Sequence, residues 1–341
     1  MSLNDLGAID EAQNRLDQAR EHLQEALKVR RTLAEQNPSK YDVYVAQTLE
    51  NLGMSDFQED RLNEARKHFE EALEIFLRTN TGSPEIDISH LANTFNSLGV
   101  LDEKQGRLAL ARRHYETSLI MCRALALQNS DAYQSSRAKT LTNLAGLDRT
   151  QNRTEEARSE LREATVIYRE LSERNSETYR PSLALTLANF GFFELQQMHL
   201  KDAREHLEEA LQIYNALLKQ NSEAYLPNQA SVLNILAGVD KYQNRAEDAR
   251  WHLTQSVSTY RELAKHNQLA YRGSLAGTLS NLGTLDEEQG CPAEARRNYQ
   301  EALDIFVDLE RQNPDLYAKE VVRVRSLLNQ LPVKSSTSKT H

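Results

Sequence analysis

Helix-breaking residues are scarce in this sequence. Its 341 residues include only 12 glycines and 7 prolines, while Leu, Ala, Glu, Gln and Arg are plentiful. Because glycine and proline interrupt helices and the abundant residues favour them, the composition predicts an all-α fold. A chain of this length exceeds the usual size of one compact core, so it contains either two or three domains or one extended array of repeats.

Other absences narrow the class of protein. Two cysteines, Cys122 and Cys291, are too few for a disulfide framework or a structural zinc site, and we expect a reducing, cytoplasmic environment. No apolar run approaches the roughly 18 to 20 residues of a membrane helix, and the first residues lack the segments of a secretion signal. The net charge of −9 argues against general affinity for nucleic acid or anionic membranes.

Motifs of catalysis are missing as well. The sequence has no His-Glu-x-x-His, no glycine-rich phosphate loop, no nucleophile elbow and no cysteine cluster. Five of the nine histidines share one repeat register and are interpreted as ordinary, partly exposed helix positions. They are His22, His68, His114, His206 and His252. We therefore expect neither an enzyme nor a bound metal or cofactor.

An acidic residue recurs every 46 residues without insertion or deletion. Its positions are Asp10, Asp56, Asp102, Asp148, Glu194, Asp240 and Asp286. An alanine followed directly by arginine keeps the same period, from Ala19-Arg20 to Ala295-Arg296. Agreement in all seven positions excludes a compositional accident, so the chain contains seven repeats.

Each repeat is predicted to form two helices joined by a tight turn. In the second repeat the first helix runs from about Pro38 to Gln58, and the second begins at Leu62 with an apolar stripe at helical spacing. The turn register holds residues that tolerate the left-handed conformation that ends a helix. They are Asn14, Asp60, Gly106, Asn152, Asn244 and Gly290, with Met198 as the exception in the fifth repeat.

Leu52-Gly53, followed by Ala65, Phe69 and Ala72, resembles the tetratricopeptide repeat. The long repeats are most similar to the subgroup found in kinesin light chains and many bacterial proteins. The resemblance implies a right-handed superhelical α-solenoid of seven helix-turn-helix repeats. It also implies a peptide or partner protein bound in the concave groove. Stacking is obligatory, because one helical hairpin cannot bury its apolar face alone.

The expected organisation is one solenoid over residues 1–331. The repeats span about 1–37, 38–83, 84–129, 130–175, 176–221, 222–267 and 268–313. A capping helix is predicted over about 315–331, with Val321, Val324, Leu328 and Leu331 on its apolar side, and a disordered tail over 332–341. The first repeat is short before its glycine, so the chain is either a fragment of a longer array or has an open end that favours self-association.

The recurring acid occupies a position where the family usually has tyrosine. A carboxylate among packed helices needs a partner, so we predict a ladder of ion pairs between neighbouring helices. The paired residues would be Asp56, Arg66, Asp102, Arg112, Asp148, Arg158, Glu194, Arg204, Asp240, Arg250, Asp286 and Arg296. The arginines at 15, 61, 107, 153 and 245 are an alternative series. A pair between Arg66 and Glu70 along one helix is the simpler explanation for the recurring arginine.

By resemblance, the first helix of each repeat lines the groove. The candidate binding residues are Asn51, Lys139, Asn143, Arg149, Leu185, Asn189, Phe192, Leu195, Lys241, Tyr242 and Asn281. The asparagines would bond a bound backbone or, equally, one another across helices. The fourth to sixth repeats then present a basic and apolar patch, which predicts an acidic peptide with a hydrophobic anchor. The alternative is that these residues differ between repeats because of neutral surface variation and have no role in binding.

The leading functional prediction is a non-enzymatic scaffold or adaptor that binds a peptide or partner protein in its groove. The alternative is the sensor arm of a larger multidomain signalling protein, such as an ATPase or a protease, of which this chain would be a fragment. Neither prediction identifies the partner.

Overall fold

A computed structural model describes residues 6–7, 16–79, 84–126, 131–220 and 222–332. Within those residues the chain forms helices and no strand, as the composition predicts. Fourteen helices are bounded there: α1 (Leu16–Gln36), α2 (Pro38–Gln58), α3 (Leu62–Arg78), α4 (Pro84–Lys104), α5 (Leu108–Ala126), α6 (Asp131–Thr150), α7 (Thr154–Arg174), α8 (Ser176–Gln196), α9 (Leu200–Leu218), α10 (Ser222–Tyr242), α11 (Ala246–His266), α12 (Gln268–Glu288), α13 (Pro292–Glu310) and α14 (Pro314–Gln330).

Two kinds of helix alternate along the chain. The A helices, α2, α4, α6, α8, α10 and α12, each begin a repeat, and the B helices, α1, α3, α5, α7, α9, α11 and α13, each end one. Proline occupies the first turn of α2, α13 and α14, where its missing N–H has no helical partner to lose. The predicted bounds of α2 and the start of α3 are confirmed.

The chain divides into two compact units, residues 1–189 and 190–341, with the division inside α8. In the first unit, consecutive helices from α1 to α7 pack on one another, and the A helices α2, α4 and α6 also contact their neighbours of the same kind. In the second unit, consecutive helices from α9 to α14 pack in the same way. Each unit is therefore an α-solenoid stack. The right-handed superhelix and the boundaries of a single solenoid stay predictions.

Close helix approach explains the glycine near the end of an A helix. A Cβ atom added to Gly53 would lie 2.6 Å from a ring carbon of Phe69 on the paired B helix. The equivalent distance from Gly99 to Tyr115 is 2.5 Å, and from Gly283 to Tyr299 it is 2.7 Å. These aromatic rings are almost fully buried. Glycine here lets the two backbones approach so that the ring fills the space between them.

The turn between the two helices has the predicted left-handed residue. Asp60, Asn152 and Asn244 have φ of 62°, 57° and 58°, and the glycines at 106 and 290 have 73° and 71°. Met198 also adopts this conformation, with φ of 60°. The turn is closed by a hydrogen bond from the N–H five residues after the recurring acid to that acid's carbonyl, 2.8 Å long for Arg61 and Asp56. The turn therefore keeps its left-handed conformation even where it contains methionine, a residue type that rarely adopts it.

The final helix, α14, packs its apolar side against the seventh repeat. Val321, Val324 and Leu331 are buried there, as predicted for a capping helix. Its other side is less polar than predicted, because Leu316 and Val322 are exposed. The expected disordered tail lies outside the described residues except for Pro332.

Candidate functional site

The described recurring acids of the first unit, Asp56, Asp102 and Asp148, are buried and contact arginines from the preceding repeat. Asp102 on α4 accepts a hydrogen bond from Arg66 on α3, and Asp148 on α6 accepts one from Arg112 on α5. Asp56 lies 3.9 Å from the Nε atom of Arg20. Each arginine thus precedes its carboxylate by 36 residues, so every contact joins a B helix to the A helix that follows it.

The second unit repeats this arrangement. The Nη2 atom of Arg204 lies 2.5 Å from Asp240, and the Nη1 atom of Arg250 lies 2.6 Å from Asp286. Arg296, in the last repeat, donates instead to the carbonyls of Leu331 and Pro332, both at 3.3 Å. The predicted pair of Arg158 and Glu194 stays a prediction, because Arg158 belongs to the first unit and Glu194 to the second. These contacts form the ladder, and each buried acid with its partners is one rung.

The two alternatives considered for the arginines coexist with the ladder. Arg66 contacts Glu70 along its own helix at 3.3 Å while it also contacts Asp102. The second arginine series contributes too, since Arg61 donates to Asp56 at 2.9 Å and Arg107 lies 3.1 Å from Asp102. A guanidinium has five donors in a planar fork, so one arginine can serve several acceptors.

Three of the partly exposed histidines have a role that the sequence interpretation missed, because they contact the recurring acid. The Nδ1 atom of His68 lies 2.8 Å from Asp56, and that of His114 lies 2.7 Å from Asp102. His252 makes the same contact with Asp240 at 2.7 Å. The histidines lie 12 residues after the acid in the same register, which is the sequence signal that was missed.

Glutamine side chains complete several rungs. Arg66 donates to Gln105 at 3.0 Å, and Arg204 donates to Gln243 at 2.8 Å. Each glutamine lies three residues after the acid that the same arginine contacts. The guanidinium is therefore held by an acid on the following A helix and by an amide in the turn directly after that helix.

Hydrogen bonding favours the charged form of two of the buried acids, Asp56 and Asp240. Burial raises the pKa of Asp56, but hydrogen bonds from His68 and Arg61 outweigh this effect and leave the pKa below its ordinary value. Asp240 behaves in the same way, with His252 and Arg204 as its donors. A carboxylate whose oxygens are occupied in this manner is structural, because it has little capacity left for a ligand.

The A helices of the first unit also bond to one another. We call the surface formed by Glu50 on α2, Asn96 on α4, Lys139 and Asn143 on α6, and Leu185 on α8 the first A-face. Asn143 donates to Asn96 at 3.0 Å. A hydrogen bond between asparagines on neighbouring A helices was the predicted alternative to ligand binding by these residues. This bond occupies one of the groups expected to hold a bound backbone.

The first A-face contains two ionisable groups outside the ladder. Thr94 on α4 donates to Glu50 at 2.5 Å. Burial raises the pKa of Glu50 to about 7, although the Thr94 hydrogen bond and the charge of Lys139 act in the opposite direction. Burial also lowers the pKa of Lys139, and Glu50 opposes that change. The charges of an acid on α2 and a base on α6 therefore influence each other's pKa.

The predicted cations are offset by acids that the sequence argument overlooked. Burial raises the pKa of Glu103 while the charge of Arg149 acts against it, so this pair is also coupled. In the second unit, the Nζ atom of Lys241 lies 2.7 Å from Glu288. The expected basic and apolar patch therefore also contains acids, because each of its cations has a neighbouring carboxyl group.

The remaining candidates have varied surroundings. In the first unit Leu185 and Asn189 are exposed and Asn51 is half-buried. In the second unit the side chains of Phe192 and Leu195 are half-buried and Tyr242 is exposed. Asn281 donates to Asn234 at 3.0 Å, which repeats the bond between Asn143 and Asn96. The predicted patch is distributed over both compact units.

A cleft of about 760 Å³ lies apart from these candidates, between α1, α2 and α3. Its lining includes the apolar Val45 and Ile75, and Arg31 and Glu71 at its rim pair with each other at 2.5 Å. None of the predicted binding residues lines this cleft, so it adds nothing to the candidate site.

The described residues contain no group of three or more His, Cys, Asp or Glu side chains that could hold a metal ion. Among the helices of the described part, none is long and apolar enough to cross a membrane. Cys122 is buried, as its register predicts, and Cys291 is half-buried before α13.

Family models of the tetratricopeptide repeat match residues 44–124 and, separately, residues 1–38, 137–177 and 183–224, which together exceed half of the chain. A chain of the Cut9–Hcn1 heterotetramer of the APC/C is similar with a TM-score of 0.60 and 14% identity, over 93% of this chain and 48% of that one. The apo form of RapI gives 0.51 and 14%, over 83% and 98%. Both likenesses show the fold alone. No curated protein sequence matches significantly. The chain belongs to the tetratricopeptide repeat family.

Proposed function

We propose that the chain is a non-enzymatic scaffold whose first A-face binds a segment of a partner protein. The tetratricopeptide fold is typical of protein-binding modules, because stacked helical hairpins create an extended surface that a partner can follow. Binding to the A helices, and the chemistry of the partner, are the specific parts of this proposal.

The coupled pair of Glu50 and Lys139 carries the proposal. Burial disfavours the charged form of both groups, so their ionisation on this face contributes little to the stability of the fold. Their registers are not kept in other repeats: Asn96 and Leu185 occupy the equivalent positions in neighbouring helices. Perturbed ionisable groups that the repeat does not require are typical of recognition sites.

The partner segment is proposed to carry an acidic residue next to an apolar one. Its carboxylate would approach Lys139 on α6 in competition with Glu50. Leu185 holds the same register as Lys139 on the next A helix and is 48% exposed, so it offers the adjacent apolar contact. Apolar contact would supply affinity, and the charges would set orientation.

Selection from a peptide library tests this proposal and requires no identified partner. A displayed library of random peptides would be enriched on the wild-type chain, and the affinity of enriched peptides measured by fluorescence anisotropy. A variant with Lys139→Glu and Leu185→Asp should bind these peptides at least about tenfold more weakly. Circular dichroism would establish that its helix content is unchanged.

A matched control carries the same chemical changes on B helices. Lys67 on α3 is exposed, and Val166 on α7 is 48% exposed, the same fraction as Leu185. The variant with Lys67→Glu and Val166→Asp should bind the peptides like the wild type. Equal affinity of the peptides for wild type and both variants would refute binding at the first A-face.

A further inference from the structure

The rung at Asp148 differs from the other described rungs. Twelve residues after the acid, His68, His114 and His252 each place a ring nitrogen on the carboxylate, and Asn298 donates to Asp286 at 2.7 Å. In the fourth repeat this register holds Glu160. An ionised glutamate has no hydrogen to donate, so Asp148 faces a second acceptor where its counterparts face a donor.

Both carboxyl groups have an oxygen with no hydrogen-bond partner. Oδ1 of Asp148 accepts from Arg112 and lies 3.7 Å from the Nε atom of Arg153. Oδ2 of Asp148 and Oε2 of Glu160 are shielded from solvent, and neither has a partner within the described residues. One proton between two such oxygens would satisfy both, because a protonated carboxyl group donates and a carboxylate accepts.

The charges that face Glu160 come from three helices and a turn. Burial is the largest influence on its pKa, followed by the negative charge of Asp148 on α6, and both raise it. Arg112 on α5 and Arg153 in the turn before α7 act in the opposite direction, and Glu156 on α7 raises the pKa further. The result is a pKa of about 8 for Glu160, against an ordinary value of 4.5.

We propose that Asp148 and Glu160 share one proton in the folded chain, with the hydroxyl of Glu160 donating to Asp148, and that its loss in alkaline solution loosens the contact between α5, α6 and α7. The proton leaves to solvent, and two adjacent carboxylates remain. Arg112 and Arg153 then balance only part of the added negative charge.

The direction of the pH dependence follows from proton linkage. The unfolded chain releases the Glu160 proton near its ordinary pKa of 4.5, while the folded chain keeps it until about pH 8. Between these values the folded state binds more protons, so its stability falls as pH rises. The contribution of Asp56 to stability changes with pH in the opposite direction. Its pKa is lowered in the folded chain, so this contribution is lost as pH decreases through the acidic range.

Thermal unfolding of three chains tests the proposal. Glu160→Gln keeps a donor for Asp148 but cannot ionise, and Glu155→Gln is the control at an exposed position earlier on the same helix. From about pH 6 to about pH 9, the Tm of the wild type should fall relative to Glu160→Gln by several degrees. Wild type and Glu155→Gln should change in parallel. Parallel curves for the wild type and Glu160→Gln would overturn the shared proton.

A direct titration covers the case in which Glu160→Gln unfolds. Carbon-13 NMR of the glutamate carboxyl carbons in the wild-type chain would be followed against pH, with the Glu160 resonance assigned through backbone connectivity. A midpoint near pH 8 supports the shared proton. A midpoint near the ordinary value of 4.5 overturns it.

Discussion

The ladder and the first A-face each contain a carboxyl group that is buried or half-buried, but the surroundings of that group differ. In the ladder, Asp102 is surrounded by Arg66, Arg107 and His114, and equivalent contacts recur in other repeats. On the first A-face, the charges of Glu50 and Lys139 influence each other, and both lie in registers that neighbouring repeats fill with other residue types. A charge that every repeat requires stabilises the stack. A charge found in one repeat is free to serve recognition.

Removal of a ladder carboxylate should have the largest effect on stability. Asp102→Ala leaves Arg66 and Arg107 without their buried acceptor and should lower the free energy of unfolding by about 3 to 5 kcal/mol, as measured in urea. Glu70→Ala removes the exposed partner of the same Arg66 and should cost less than about 1 kcal/mol. A loss for Asp102→Ala as small as the loss expected for Glu70→Ala would mean that Asp102 does not stabilise the stack.

Two glycines on A helices should respond to alanine in opposite directions. Gly53→Ala places a methyl group against Phe69 and should destabilise the chain by about 1 to 3 kcal/mol. Gly146→Ala meets no atom within 4 Å and should stabilise α6 by about 0.5 to 1 kcal/mol. Denaturant unfolding measures both changes. A loss of stability in Gly146→Ala would show that this glycine has a packing role.

The rung with Glu160 can be converted to the common form. Glu160→His gives Asp148 the donor that Asp56 and Asp102 receive and should raise the free energy of unfolding at about pH 8 by about 1 kcal/mol. The reverse change, His114→Glu, should destabilise the chain under the same conditions. The two variants should therefore shift the free energy of unfolding in opposite directions. Shifts in the same direction would contradict the comparison between the rungs.

The smallest stability change is expected on the first A-face. Lys139→Met removes a group whose charge is opposed by burial, so the free energy of unfolding should change by less than about 1 kcal/mol. Its affinity for enriched acidic peptides should nevertheless fall, as fluorescence anisotropy would show. Lys67→Met on α3 should change neither quantity. A large loss of stability in Lys139→Met would place Lys139 among the structural charges.

Periodicity predicted the fold and the composition of the ladder but not all its partners. A 46-residue period identifies which positions are equivalent, and this was enough for the two helices, the left-handed turn and the recurring arginines. It does not show which side chains reach one another across helices. His68 and Gln105 were therefore missed as ladder partners, although each shares its register with equivalents in other repeats.

The first A-face was harder to predict because its residues do not repeat. Lys139 was recognised as a departure from the pattern, but its neighbour Glu50 lies 89 residues earlier in another register. Only the packing of α2, α4 and α6 brings the two charges together. A count of cations in the sequence therefore predicted a basic patch where the structure has coupled opposite charges.

Site-specific crosslinking tests the central claim most directly. A photoreactive phenylalanine would replace Leu185 on the first A-face or, in a second chain, Val166 on α7, which has equal exposure. Irradiation with one enriched peptide should give a covalent product at position 185 and none at position 166. A product at position 166, or at neither position despite measured binding, would contradict recognition by the first A-face.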